Sequence, residues 1–182
     1  MAGRRVLVTG PSGAGKTTLA EYFRKRGADA VDADTADIGV WLDSVGNKVQ
    51  PPHDIGERAG QWAFMMGLRW NWDVSRLKAL LEGTSEIYLF GGAYNVYNVI
   101  GLFDRRYYLD ADAKLLAERL KSRAAEGKSR HGWGETEEQR SVILSELDED
   151  RKNAAKAGLE FIDAHLPLDQ IFEIVTSSTS KR

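Results

Sequence analysis

Residues 10–17 read Gly-Pro-Ser-Gly-Ala-Gly-Lys-Thr, a combination of residue types suited to binding phosphate. The stretch fits the pattern G-x-x-x-x-G-K-[ST], which is informative where a strand precedes it and a helix follows it. Glycines at Gly10, Gly13 and Gly15 let the backbone wrap closely around phosphate oxygens that side chains would obstruct. The backbone N–H groups then point at those oxygens, beside the positive end of the following helix. The stretch therefore predicts a phosphate-binding loop.

Two side chains supply further chemistry to this loop, known as Walker A or the P-loop. The Lys16 ammonium would place a positive charge on the outer phosphates of ATP, and the Thr17 hydroxyl would be a ligand for Mg²⁺. An ordinary glycine-rich turn is the alternative, but the apolar run before the loop and the helical pattern after it make the match complete. The residues expected to contact the nucleotide in this region are Gly10, Ser12, Gly13, Ala14, Gly15, Lys16, Thr17 and Thr18.

Length and composition limit the possible classes of protein. The chain has 182 residues, of which 42% are hydrophobic and 29% charged, as expected for one globular domain. A formal net charge of −2 gives no electrostatic reason to expect nucleic acid or membrane partners. No apolar run approaches the roughly 18 residues that span a bilayer. Cysteine is absent and no signal-peptide core precedes the first strand, so we expect a cytoplasmic protein, either monomer or homodimer.

Apolar runs alternate with helical patterns, which predicts an α/β fold: a parallel sheet of five strands with helices on both faces. Strands are expected at residues 4–9, 28–31, 86–90, 106–109 and 159–162. Helices of this core are expected at residues 17–26, 95–102, 113–123, 136–157 and 168–175. Right-handed crossovers would bring the carboxyl ends of the strands to one edge of the sheet.

Residues able to bind ligands follow three of these strands, at the edge where open α/β sheets bind their ligands. Asp32 and Asp34 follow the second strand, Gly91 and Gly92 follow the third, and Asp163 ends the fifth. In an extended chain the carboxylates of Asp32 and Asp34 would face the same side. Turn capping is the alternative for both, and for Asp163 entry into the last helix is the stronger interpretation.

The segment 35–82 differs in composition from the rest of the chain. Its tryptophans are Trp41, Trp62, Trp70 and Trp72, and its candidate phosphate-binding arginines are Arg58, Arg69 and Arg76. Turn residues break it into short helices, except for residues 62–81, where we expect one long helix. An aromatic, arginine-containing insertion is suited to binding a substrate, although each tryptophan could equally belong to the core.

The segment 124–135 is a basic loop with glycines at positions 127, 132 and 134. Such a loop is suited to closing over a bound phosphate. The arginines that could then contact the transferred group are Arg119, Arg123 and Arg130. A solvated helix face and loop would carry the same residues, and this alternative stays open for each arginine alone.

This layout resembles the small P-loop kinases of the nucleoside monophosphate kinase fold, which include adenylate, shikimate and gluconate kinases. The resemblance covers nearly the whole chain. It implies a three-layer P-loop NTPase fold with strand order 2-3-1-4-5. It also implies a single kinase domain, with a core formed by residues 1–34, 83–123 and 136–182. Residues 35–82 would be the inserted helical substrate lobe and residues 124–135 a short lid.

Two short motifs carry the resemblance further. Asp32-Ala33-Asp34 is similar to the D-x-D of shikimate kinases, and Gly91-Gly92-Ala93 to their glycine-rich substrate motif, with one glycine fewer. The resemblance implies that Asp32 orients metal-bound water and that Asp34 contacts the acceptor hydroxyl. No acidic residue ends the third strand, so the metal would depend on Thr17 and Asp32. In the resembled fold the backbone after the fifth strand, here at Asp163, borders the adenine.

The motifs together predict an ATP-dependent small-molecule kinase. The expected catalytic residues are Lys16, Asp34, Arg119, Arg123 and Arg130. The expected acceptor is a nucleoside or nucleotide, whose base would stack on an aromatic side chain. The residues expected to bind it are Asp34, Arg58, Trp62, Arg69, Gly91, Gly92 and Tyr94.

Two alternatives remain open at this point. The D-x-D and the paired glycines favour a polyol or hydroxy acid as acceptor. A nucleotide-binding NTPase regulator without a transfer substrate would need the same phosphate-binding loop. Turnover of ATP separates the classes, because a kinase is slow with water and accelerates with its acceptor.

Overall fold

The computed structural model describes residues 4–127 and 133–177. Within these ranges the strands are β1 (Arg4–Thr9), β2 (Ala30–Asp32), β3 (Gly39–Leu42), β4 (Lys48–Val49), β5 (Arg69–Trp72), β6 (Glu86–Phe90), β7 (Arg105–Asp110) and β8 (Glu160–Asp163). The α-helices are α1 (Lys16–Lys25), α2 (Ala59–Met65), α3 (Val74–Leu81), α4 (Val96–Val99), α5 (Ala113–Ala125), α6 (Glu137–Ser145), α7 (Leu147–Lys156) and α8 (Leu168–Thr176). Short 3₁₀ helices occupy Gly56–Arg58 and Ile100–Leu102.

The main sheet has five parallel strands in the order β2-β6-β1-β7-β8. Numbered along this sheet alone, the order is the predicted 2-3-1-4-5, so the predicted fold class is confirmed. Strand β1 lies at the centre, where Val6, Leu7 and Val8 are fully buried. A strand covered by helices on both faces must be apolar at successive positions, as β1 is.

The two faces of the sheet carry separate hydrophobic clusters. On one face, α1, α5 and α8 pack around Phe23, whose ring lies 4.9 Å from the ring of Phe90 and 4.6 Å from that of Phe172. On the other face, α3 and α4 pack on Leu7 through apolar side chains that include Leu77 and Val99. Burial of these clusters stabilises the sheet and brings the carboxyl ends of its strands to one edge.

The single helix predicted over residues 62–81 is wrong. Helix α2 ends at Met65, and Gly67, with a φ of 65°, turns the chain in the left-handed conformation that favours glycine. Strand β5 follows, and Asp73 then begins α3 by accepting hydrogen bonds from the N–H groups of Ser75 and Arg76 at 3.1 and 3.2 Å. Periodicity alone missed these boundaries, because an arginine and asparagine alternating with tryptophans also suit a strand.

Strand β5 belongs to a second, antiparallel sheet with the order β4-β3-β5, inside the segment 35–82, which was predicted to contain only helices. That expectation is therefore also wrong in part. The rings of Trp41 and Trp70 lie across from one another on β3 and β5, with centroids 4.8 Å apart. Aromatic pairs directly opposite one another stabilise antiparallel strands, which explains the use of two tryptophans here.

The helix predicted over residues 136–157 is two helices, α6 and α7, that meet at Glu146. Thr136 caps α6, since its hydroxyl accepts the N–H of Gln139 at 3.2 Å in a capping box. Acidic side chains fill the first turn of α7, where the helix dipole favours negative charge. Among the residues that the structure describes, no helix has the length and apolar character to cross a bilayer.

Replacement of Gly39 tests the packing of the second sheet. A Cβ atom on Gly39 would lie 1.8 Å from Cζ2 of Trp70, so the indole ring must move. We expect Gly39→Ala to lower the free energy of unfolding by about 1–3 kcal/mol, the usual cost of overpacking. Gly101→Ala is the control, because a Cβ there meets no atom within 4 Å. Urea unfolding measures the stability of both variants. Equal unfolding midpoints for Gly39→Ala and Gly101→Ala would contradict this packing.

Candidate active site

The loop between β1 and α1 has the backbone geometry of a phosphate cradle. Gly10, Gly13 and Gly15 have φ angles of 145°, 89° and 108°, which disfavour residues with a side chain. A Cβ on Gly10 would also lie 2.7 Å from the carbonyl oxygen of Leu109, on the neighbouring strand β7. The backbone conformation therefore favours glycine at all three positions, and the close approach of β7 requires it at Gly10 as well.

Lys16, the first residue of α1, folds back onto the loop that precedes it. Its Nζ atom donates hydrogen bonds to the carbonyl oxygens of Gly10 at 2.7 Å and Pro11 at 2.8 Å. Burial lowers the pKa of Lys16, whereas the nearby carboxylates, that of Asp34 first, act to raise it. The ammonium group is thus held inside the loop, where a bound phosphate would meet it.

The two carboxylates after β2 have different environments. Asp32 is 3% exposed, and its Oδ1 accepts the N–H of Asp34 at 3.0 Å, so it does cap a turn. Asp34 lies in that turn rather than in extended chain, and it is only half-buried. Its carboxylate acts to raise the pKa of both Lys16 and Arg123. Asp34 therefore lies close to both cations, at the carboxyl edge of the sheet.

Two arginines of α5 reach the phosphate-binding loop. Arg123 donates to the carbonyl oxygen of Trp133 at 2.9 Å and to Oγ of Ser12 at 3.4 Å. Burial lowers the pKa of Arg123 despite the opposing carboxylate of Asp34. Arg119 donates to the carbonyl oxygens of Ala14 at 2.9 Å and Ala164 at 3.1 Å, which links the loop to the chain after β8.

The end of the predicted lid is held by one buried side chain that the sequence did not single out. Oε1 of Gln139 accepts hydrogen bonds from the N–H groups of Gly134, Glu135 and Thr136, at 3.0 to 3.3 Å. This fixes the backbone beside Trp133, whose ring also contacts Phe64 of α2 at a centroid distance of 5.6 Å. The predicted lid residue at position 130 lies outside the described residues.

The paired glycines after β6 lie directly beside this site. A Cβ on Gly91 would lie 2.4 Å from the Cβ of Ala33, and a Cβ on Gly92 would lie 3.9 Å from Cε of Lys16. The absence of side chains here allows the chain after β6 to approach both the D-x-D turn and the phosphate-binding loop. Gly91 and Gly92 thus border the D-x-D turn and the lysine of the glycine-rich loop.

Asn95 connects Gly91 and Gly92, called the glycine stretch below, to the second sheet. The sequence pattern did not indicate this role of Asn95. Its Oδ1 accepts the N–H of Trp72 and its Nδ2 donates to the Trp72 carbonyl oxygen, both at 2.9 Å. The N–H of Tyr94 also donates to the carbonyl oxygen of Trp70 at 2.8 Å. An asparagine beside two glycines is an ordinary turn signal, so the sequence pattern held no sign of this clamp.

The remaining predicted acceptor residues do not converge. Arg69 stacks on the exposed ring of Tyr94 at 4.1 Å, at the rim beside the glycine stretch. Arg76 forms an exposed ion pair with Asp37 at 3.0 Å. Arg58 lines a small surface pocket with Pro52, Asp54 and Ile55. The partly buried Trp62 lies on α2.

Asp163 is part of the turn that leads to α8. Its Oδ1 accepts hydrogen bonds from the backbone N–H of His165 at 2.9 Å and contacts the Nδ1 atom of the same residue at 2.8 Å. These interactions hold the pKa of Asp163 below its ordinary value. The geometry matches the helix-entry interpretation, with the backbone next to Arg119.

The residues available for Mg²⁺ are Thr17, at the start of α1, and Asp32. Among the described residues no group of three or more histidine, aspartate or glutamate side chains is arranged to hold a metal ion. A hydroxyl and a single carboxylate fit Mg²⁺, which keeps several waters and binds chiefly through substrate phosphates and one or two protein oxygens. Such an ion would neutralise charge on a nucleotide bound by the loop.

Comparison with known proteins agrees with this fold. A family model described as an AAA domain matches residues 6–143, and the chain belongs to this family. A shikimate kinase from Acinetobacter baumannii in complex with shikimate is 15% identical, with a TM-score of 0.59, over 98% of this chain and 96% of that one. A search of curated protein sequences finds no match.

Two further solved structures have similar folds. A gluconokinase from Sinorhizobium meliloti 1021 is 16% identical over 92% of this chain and 86% of that chain, with a TM-score of 0.53. A deoxyadenosine kinase from M. mycoides with bound dATP is 16% identical over 94% and 96% of the two chains, with a TM-score of 0.51. These likenesses show that the chain has the fold of the small P-loop kinases.

Replacement of Asn95 tests the link between the second sheet and the glycine stretch. Asn95→Ala would leave a backbone donor and acceptor of the buried Trp72 without their partners. We expect the free energy of unfolding to fall by about 1–3 kcal/mol. Asn98→Ala is the matched control, because Asn98 is an exposed asparagine of the same helix region. Denaturant unfolding that finds the two variants equally stable would contradict a clamp at Asn95.

Proposed function

We propose that this protein is an ATP-dependent kinase that transfers the γ-phosphate of Mg-ATP to a small acceptor, a nucleoside or nucleotide in the first place. The observation that carries this proposal is the convergence of Lys16, Arg123 and Asp34 at the glycine-rich loop. Two cations and one carboxylate at that point match the needs of phosphoryl transfer. The fold shared with small P-loop kinases supports the proposal.

Charge neutralisation is the first task of such a site. Lys16 would bind the outer phosphates from inside the loop, and Arg123 would contact the transferring group from the side of α5. Arg119, between the loop and the chain after β8, would support the nucleotide near its base. A bound Mg²⁺, held by Thr17 and Asp32, would add positive charge at the phosphates.

Placement of the acceptor is the second task. Asp34 would orient the acceptor hydroxyl and receive its proton, since it is the carboxylate that lies near both cations. The glycines at Gly91 and Gly92 leave room for the acceptor beside Lys16. The segment 35–82 would form the acceptor lobe and the segment 124–135 the lid that excludes water.

A polyol or hydroxy acid is the alternative acceptor, favoured by the D-x-D turn and by the close approach of Gly91 to Ala33. Solved structures with this fold include a shikimate kinase and a gluconokinase as well as a deoxyadenosine kinase, so the fold itself does not select the acceptor. An NTPase regulator would instead require a protein or nucleic-acid partner for turnover.

A screen for acceptor-dependent ADP release tests the proposed activity. Nucleosides, nucleotides and small polyols are supplied in turn with Mg-ATP, and we expect one class to accelerate ADP release above the slow reaction with water. Lys16→Ala should remain folded and lose at least about 10²-fold in turnover, the cost of removing a preorganised charge-stabilising group. A folded Lys16→Ala with near-normal turnover would contradict a role for the loop in catalysis.

The two carboxylates after β2 should be separable by their kinetics. Asp34→Asn should lower acceptor-dependent turnover by at least about 10²-fold, the lower range for loss of a general base, with ATP binding nearly unchanged. Asp32→Asn should instead raise the Mg²⁺ concentration needed for activity. Asp37→Asn, in the same region but fully exposed, is the control and should keep normal rates. Rescue of Asp34→Asn by added Mg²⁺ would show that these roles are assigned wrongly.

A further inference from the structure

Asp150, in the first turn of α7, is held in place by two tyrosines. The hydroxyl of Tyr97 donates to Oδ1 of Asp150 at 2.6 Å, and the hydroxyl of Tyr108 donates to Oδ2 at 2.8 Å. Tyr97 also donates to the backbone carbonyl oxygen of Asp150 at 3.1 Å. Burial raises the pKa of both tyrosines, so each hydroxyl keeps its proton and stays a donor.

This carboxylate lies on the side of the sheet that faces the proposed acceptor. Tyr108 of β7 is paired with Thr9, the last residue of β1. The Oγ1 of Thr9 lies 3.7 Å from the position of a Cβ on Gly92, and Cε of Lys16 lies 3.9 Å from it. The Asp150 carboxylate is also near enough to act on the pKa of Lys16. Asp150 therefore acts on the charge of Lys16 as Asp34 does, although 116 positions of sequence separate the two aspartates.

Among the described residues, the cations near this carboxylate already have partners. Arg151, the next residue of α7, pairs with Asp110 at 2.6 Å and donates to the carbonyl oxygen of Ala111. Arg119 is bonded to two backbone carbonyls, and Lys16 and Arg123 are the cations that the nucleotide phosphates require. An acceptor that carried its own negative charge would meet carboxylates here with little compensating positive charge from residues 4–127 and 133–177.

A buried donor near the same place supplies an independent sign of a ligand. Trp72 is 1% exposed, and its Nε1 has no hydrogen-bond partner among the described residues. The edge of its indole ring lies against the glycine stretch, with Cζ2 at 3.2 Å from the position of a Cβ on Gly91. A buried N–H without a partner is costly, and an acceptor oxygen beside Gly91 is a suitable partner after a small shift of the ring.

We propose that Asp150 binds the acceptor, and that the acceptor is an uncharged polyhydroxyl compound, such as a nucleoside or polyol, rather than a nucleotide or hydroxy acid. The proposal rests on the kinase function proposed above and narrows it. Hydroxyl groups of the acceptor would donate to Asp150 and Asp34, and an acceptor oxygen would accept from Nε1 of Trp72. The tyrosines Tyr97 and Tyr108 would position the Asp150 carboxylate, with no part in the transfer itself.

Arg69 is a cation that would favour an anionic acceptor instead. It stacks on Tyr94 at the rim of the glycine stretch. An anionic acceptor would need this guanidinium, because Arg76 is paired with Asp37 and Arg58 lies at a separate surface pocket. The variant Arg69→Gln therefore separates the two acceptor classes.

The experiment measures ADP release with acceptors offered as matched pairs that differ in charge. Nucleosides are compared with their 5′-monophosphates and polyols with the corresponding hydroxy acids, beginning with adenosine and AMP and with glucitol and gluconate. We expect kcat/KM for the neutral member of the productive pair to exceed that of its anionic partner by at least ten-fold. Arg69→Gln should change the neutral reaction by less than three-fold.

Variants of the tyrosine-held carboxylate distinguish binding from a purely structural role. Asp150→Asn should raise KM for the neutral acceptor roughly ten-fold or more, as expected for loss of a hydrogen bond to a charged group, with KM for ATP unchanged. Tyr97→Phe should raise KM for the neutral acceptor less than Asp150→Asn does, because the Asp150 carboxylate itself remains. Tyr88→Phe is the control: its hydroxyl also donates to a carboxylate, that of Glu86 at 2.8 Å, but at the opposite edge of the sheet.

Each result has a separate meaning. Faster ADP release with the anionic member of a pair, dependent on Arg69, would overturn the inference and leave the kinase function standing. A lower melting temperature in Asp150→Asn without a change in acceptor KM would also overturn it. If no member of any pair accelerates ADP release while ATP is hydrolysed slowly, the proposed kinase function fails and the inference fails with it.

Discussion

The constraint on which the site depends is the close packing of backbone around the Lys16 ammonium. A buried cation is costly unless polar groups surround it, and here two backbone carbonyl oxygens of its own loop do so. Glycine is needed to form that loop, because its φ angles are positive and Gly10 approaches the backbone of β7. The surrounding carboxylates favour the charged form of Lys16. The fold therefore holds a positive charge at the carboxyl edge of the sheet, where a phosphate group can take over its interactions.

Two side-chain amides organise the segments on either side of this charge. Asn95 ties the glycine stretch after β6 to the backbone of Trp72 in the second sheet, so that the aromatic segment has a fixed position relative to the main sheet. Gln139 gathers three backbone N–H groups at the start of α6 and so fixes the chain beside the Trp133 carbonyl that Arg123 contacts. Amides serve this purpose because one planar group can satisfy several backbone partners without adding charge to a site already rich in it.

The charge distribution around Lys16 separates two halves of the site. Toward α5, Arg119 and Arg123 contact the phosphate-binding loop and leave it suited to an anion. Toward α4 and α7, Tyr97 and Tyr108 hold the Asp150 carboxylate in place, and this carboxylate acts to raise the pKa of the same lysine. Since electrostatic complementarity excludes ligands as well as attracting them, our proposal for the acceptor rests on this asymmetry rather than on the fold.

The sequence alone predicted the glycine-rich loop and the five strands of the parallel sheet, since each of these elements depends on residues close together in the chain. The order of the strands was implied by the resemblance to the small P-loop kinases, and the structure has that order. Over residues 62–81, local periodicity could not distinguish one long helix from the helix, strand and second helix that the structure has. Pairing of this strand with β3 decides between the two. Only the tertiary structure brought Asp150 to Tyr97 and Tyr108, and Asn95 to Trp72. These contacts join distant positions of the chain through packing of helices on a sheet, and no spacing in the sequence encodes them.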